Sequence, residues 1–163
     1  MILEAAASND DIGVIVRAHL ELERAMIRAL EKKYPKYEAL KHDSFAQHLR
    51  ALRALGAEGA IFQIADELNK IRNGIAHLKK GIKTSISETD IRNLCSQASG
   101  AFGGRQDVLG FVCRLGDEGP KPLKEFSKAK QLLVISAMAA MAIDTIPQRE
   151  AEHSHRANIS RDA

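Results

Sequence analysis

The segment from Leu132 to Ile143 is apolar on nearly every side, and it sets the tightest limit on what this chain can fold into. A helix with one apolar stripe can lie on a protein surface, but one that is apolar all round needs neighbours on every side. Its twelve residues are too few for a bilayer, which takes about 20, and Lys128 and Lys130 stand immediately upstream. It therefore reads as the deeply buried part of a final helix from about Leu123 to Ile146, enclosed in a core or a dimer interface.

The rest of the chain supplies the neighbours. Ser8 to Asp11 offers capping side chains and early acidic charge, and helix formers run from Ile12 to Lys33 until Pro35 stops them. Asp43 or Ser44 can cap a second helix, whose Phe45, Leu49, Leu52 and Leu55 keep helical spacing up to Gly56. A third helix is expected from Glu58 through Ile61, Ile64, Leu68, Ile71, Ile75 and Leu78, closing at Lys79, Lys80 and Gly81. Ser87 followed by Asp90 forms a capping-box pattern that opens a fourth, through Ile91, Leu94 and Cys95. Gly100, Gly103, Gly104 and Gly110 obscure the next stretch, where Val108, Leu109, Val112 and Leu115 fit another short helix. Residues from Gly116 to Pro122 read as a loop.

Aromatic residues make up only 4% of the 163 positions and tryptophan is absent, so Leu, Ala and Ile must build the core. Such material suits closely packed helices better than strands. The expected fold is all-α, with five or six helices in one domain over residues 1–146. Polar residues without periodicity follow Pro147, and 147–163 reads as a flexible tail.

A net charge of +3 permits a phosphate-bearing partner without requiring one. Cys95 and Cys113 have no metal-ligand spacing and no local activating base, and a chain of this length needs no disulfide. With no secretory pattern at the N-terminus and no membrane segment, the expected location is the cytoplasm. His153 and His155 lack further ligands, and no glycine-rich phosphate loop follows a strand, so neither metal nor cofactor is expected.

Chemistry gathers on the third helix. At about 100° per residue its apolar side chains occupy one arc, while Asn69, Asn73 and His77 form an i, i+4, i+8 ladder on a neighbouring face, with Asp66 beside it. Solvated faces more often carry Lys and Glu. Arg72 projects at the margin between arc and ladder, flanked by the small Ala65 and Ala76. A guanidinium fork suits phosphate, and a histidine about 140° around the wheel can reach the same bound group and exchange its proton. The same residues can equally serve structure: Arg72 paired with a carboxylate, Asn73 on a neighbouring backbone, His77 finishing the helix. Gly74 weakens this helix by about 1 kcal/mol relative to alanine and marks either close backbone approach or fraying. His19 and Glu23 lie one turn apart on the first helix, as an acid–base pair or an exposed contact.

The run LNKIRNGIAHL at 68–78 resembles the signature of the HEPN superfamily, in which an arginine, usually followed by a polar residue, precedes a histidine by a few positions. RAHLELERAM at 17–26 and DSFAQHLRALRALG at 43–56 are similar, in order and spacing, to the small bacterial branch that includes the mannitol operon repressor family. The resemblance covers residues 12–78 and implies a HEPN-like bundle working as a homodimer. Residue by residue it matches Arg72, Asn73 and His77 to the motif and Glu23 to a supporting acidic position. It implies RNA binding and metal-independent endoribonuclease activity of the toxin or defence type. In that chemistry the histidine handles protons at the ribose 2′-hydroxyl or leaving oxygen, and the arginine stabilises phosphate charge. An antitoxin or regulatory protein is then a natural partner. The alternative it implies is a non-enzymatic transcription regulator, with the motif holding helices or dimer together. Gln47 and His48 stand where relatives often carry a lysine, which removes one fixed positive charge.

Overall fold

The computed structural model describes residues 10–34, 37, 44–54, 59–76, 85–103 and 107–146. Five α-helices carry most of them: α1 (Asp11–Lys33), α2 (Phe45–Ala54), α3 (Ala60–Ala76), α4 (Glu88–Ala98) and α5 (Lys128–Asp144). The all-α expectation holds, with one small addition described below.

Four of the five helices begin where a side chain satisfies a first-turn amide. Asp10 caps α1 by accepting from the backbone N–H groups of Ile12 and Gly13, and Lys32 and Lys33 lie in the last turn, where the helix dipole favours positive charge. Of the two candidate caps for α2, Ser44 takes the role: its Oγ accepts from Gln47 N at 3.3 Å while Gln47 Oε1 accepts from Ser44 N at 3.1 Å. Ser87 and Asp90 form the reciprocal capping box of α4. Replacing Ser87 by alanine removes one half of that box and is expected to lower unfolding free energy by about 1 kcal/mol in urea denaturation, with the slope unchanged.

α5 runs through the middle of the molecule, packing most extensively on α1 and also on α3 and α4. Leu132, Leu133, Ile135, Ala139, Ala140 and Ile143 are buried, as their unbroken apolar run requires, whereas Met141 faces out. The C-terminal ends of α1 and α5 are tied by Arg28, whose guanidinium bonds both oxygens of Asp144, and by Lys32 on the Asp144 carbonyl. Ile64, Leu68 and Ile71 of α3 enter the same core, with Ile61 and Ile75 partly buried against it.

The final helix is shorter than its apolar pattern indicates. Leu123–Glu125 form a 3-10 turn, Phe126 breaks it, and Ser127 caps α5 by accepting from Lys130 N. Gln131 fastens the break, its Nε2 donating to the Phe126 carbonyl at 2.8 Å. The short helix expected over Val108 to Leu115 is also corrected. Val108–Gly110 make one 3-10 turn, and Val112–Cys113 (β1) then pair antiparallel with Lys121–Pro122 (β2). Gly116, with φ of 58°, makes the left-handed turn between them, so part of the expected loop is strand. The residues expected to end α2 and α3, and the tail 147–163, lie outside the described residues. Among the described residues, no helix is long and apolar enough to cross a membrane.

Candidate functional site

A cleft of about 460 Å³ opens between α1, the start of α2 and the C-terminal half of α3. Val16, Leu20, Phe45 and Ala46 give it an apolar wall, and His19, Glu23, Ser44, Asn69, Arg72 and Asn73 give it polar groups. Four of the five residues singled out by sequence, Glu23, Asn69, Arg72 and Asn73, therefore share one cavity. The fifth, His77, lies outside the described residues.

The first two members of the ladder on α3 are in contact. Asn73 Nδ2 donates to Asn69 Oδ1 at 3.4 Å, one turn back, and Arg72 Nη1 donates to Asn73 Oδ1 at 3.0 Å. Arg72 is exposed rather than marginal, and among the described residues no carboxylate pairs with it. Ala65, read as a small flanking residue, is fully buried and gives nothing access to Arg72. Asp66 leaves the ladder and pairs with Arg53 of α2 at 2.6 Å. Gly74 is helical and exposed, so α3 does not fray there.

Glu23 does not reach Arg72 as a support. Its Oε1 lies 3.9 Å from Nε2 of the buried His48, whose Nδ1 is 2.9 Å from the hydroxyl of Tyr37. His48, seen in the sequence only as a lost lysine, thus brings α2 up to the carboxylate of α1.

His19 departs furthest from expectation. It is buried, its ring stacks on Phe45 with centroids 4.2 Å apart, and its Nε2 lies 3.3 Å from Asn69 Oδ1. Neither an exposed contact nor a pairing with Glu23 describes it. Its partner is 50 positions away, so helical spacing gives no hint of the bond. Burial pushes its pKa below the ordinary value, most strongly of all its influences; the bond to Asn69 and the Glu23 carboxylate act upward, and Arg72 acts downward. The unfolded chain therefore binds this proton more readily than the folded one. Stability contributed by neutral His19 is present above the ordinary histidine value of about 6.5 and is lost as pH falls through the lower folded value. Urea midpoints measured across that window should fall with acidification, and His19→Gln should flatten the decline.

The cysteines stay chemically quiet. Burial, with the Asp107 carboxylate nearby, pushes the Cys95 thiol up to about 11, and burial also raises Cys113. Neither has the depressed pKa of a nucleophile. Among the described residues no three His, Cys, Asp or Glu side chains converge as a metal site. Compared with protein-family models, with characterised proteins and with solved structures, the chain matches none, so the site rests on its own geometry.

Proposed function

We propose that this chain is a HEPN-like, RNA-binding homodimer that cleaves RNA without a metal ion, as toxin or defence ribonucleases do, in the cytoplasm and under the control of an antitoxin or regulatory protein. The observation that carries the reading is the state of Arg72: an exposed guanidinium at a cleft, held, among the described residues, by one neutral amide and by no carboxylate. A structural arginine would spend its charge on an internal acid. Here the fork keeps donors for an incoming phosphate.

The chemistry needs no external nucleophile. A base removes the proton of a ribose 2′-hydroxyl, the 2′-oxygen attacks the adjacent phosphorus, and the 5′-oxygen leaves and takes up a proton, giving a 2′,3′-cyclic phosphate and a 5′-hydroxyl. His77, four positions after Asn73 in the sequence, is the proton carrier in this scheme, and Arg72 neutralises the charge that grows on the non-bridging oxygens. The homodimer draws support from Ile12, Val16 and Leu20, which lie at i, i+4, i+8 on α1 and expose 37%, 42% and 43% of their surface, the last two at the cleft. An apolar stripe of that kind suits a second copy.

One observation favours the regulator alternative: Asn69 spends its oxygen on internal bonds, to His19 across from α3 to α1 and to Asn73 within α3. The deciding experiment incubates mixed single-stranded RNA with purified protein in EDTA, which silences metal-dependent contaminants. The parent is expected to produce cyclic-phosphate ends, and folded His77→Ala and Arg72→Ala variants to produce none. No cleavage by the parent, or equal cleavage by all three, would sink the ribonuclease reading in favour of the regulator.

A further inference from the structure

The hydrogen bonds in the cleft run in one direction, and that direction can be read from the arginine end. A guanidinium only donates, so the Asn73 side chain must turn its oxygen toward Arg72 Nη1, 3.0 Å away. Its amide nitrogen then faces Asn69, which must present its own oxygen, 3.4 Å away. That oxygen is also the atom 3.3 Å from His19 Nε2. An amide oxygen cannot donate, so the hydrogen of this second bond belongs to the histidine.

We propose that His19 is a positioning residue for Arg72: its Nε2–H anchors Asn69, Asn69 orients Asn73, and Asn73 holds the guanidinium at the mouth of the cleft. Three features make His19 a firm anchor. It is buried, its ring is clamped by stacking on Phe45 at 4.2 Å, and its bond crosses from α1 to α3 rather than along one helix. Burial also favours the neutral ring, with the Asn69 bond and the Glu23 carboxylate opposing and Arg72 assisting. A neutral imidazole has a single N–H, and the chain of bonds requires it on Nε2, leaving Nδ1 bare. Without the anchor, Asn69 is free to turn its nitrogen toward Asn73. The two amides would then face each other donor to donor, and Asn73 would lose the orientation that offers its oxygen to Arg72.

As a contribution to cleavage this role rests on the ribonuclease reading, but the relay itself does not, and the test separates the two. Nitrogen NMR of the imidazole in the parent, near neutral pH, is expected to show Nε2 protonated and Nδ1 bare; the reverse tautomer would overturn the relay outright. His19→Phe keeps the stacking ring and removes the donor, whereas His19→Gln returns a nitrogen donor at the Nε2 position. The Arg72 Nε–H and Asn73 amide resonances should shift and broaden in His19→Phe and return toward parent values in His19→Gln. Unchanged resonances in His19→Phe would refute the anchoring. If the parent cleaves RNA, kcat should fall about ten- to a hundredfold in His19→Phe with KM within about twofold, and recover most of the way in His19→Gln. Equal loss in both variants, or loss in neither, would overturn positioning. If the parent does not cleave RNA, the ribonuclease reading falls and the tautomer and resonance measurements alone decide the relay.

Discussion

Replacing Leu132 by alanine is expected to lower the free energy of unfolding by about 3 kcal/mol, while Met141→Ala on the same helix changes it by less than about 0.5 kcal/mol. Leu132 has no exposed surface and belongs to the one core shared by all five helices, so its removal leaves a void that neighbours on several sides cannot fill together. Met141 is 63% exposed, and truncating it removes surface that water already covers. Urea denaturation of the two variants would show a shifted midpoint with unchanged slope for the first and coincidence with the parent for the second. A comparable loss for Met141→Ala would mean that this face is covered in solution. Repeating the measurement at several protein concentrations would then expose the second copy covering it.

The contrast within α5 also shows why this helix was legible. A continuous apolar run needs only local composition to be recognised, and capping signals need only three or four neighbouring residues, as with Ser87 and Asp90 or the stop before Pro35. Information spread further along the chain was less accessible. The hairpin of Val112 and Cys113 with Lys121 and Pro122 uses two residues per strand, too short for alternation to register, and it depends on a left-handed turn at Gly116. The break at Phe126 was hidden because Leu123 continues the apolar pattern into α5. Ser127 was an available capping signal.

The same distinction governs the cleft. Asn69 and Asn73 are one turn apart, so their contact follows from helix geometry alone. The contacts of His19 with Asn69 and Phe45 depend on where α1 meets α3 and α2, which helical periodicity does not specify. The full burial of Ala65 likewise depends on how other helices pack on α3, which the spacing of α3's own side chains does not specify.

On the proposed ribonuclease reading, Arg72→Ala is expected to lower the rate of RNA cleavage about 10²- to 10³-fold, the usual loss on removing one donor to a developing oxyanion, with folding stability within about 0.5 kcal/mol of the parent. Both halves follow from its surroundings. Arg72 is exposed and, among the described residues, makes one side-chain hydrogen bond, to Asn73, so truncation strands no buried charge. Its loss in catalysis is large because charge on the phosphate oxygens is greatest in the transition state, so kcat should fall with kcat/KM. Arg72→Lys preserves the charge but gives up the planar fork and the fixed Nη1 donor to Asn73, so it should regain substrate attraction without regaining most of the rate. Cleavage kinetics and urea denaturation on the same three proteins decide the matter. An arginine that serves only the architecture would reverse the pattern, since alanine would cost stability through the orphaned Asn73 while lysine, still a donor, would restore it. Rate lost without stability places Arg72 at the reaction; stability lost first places it in the frame.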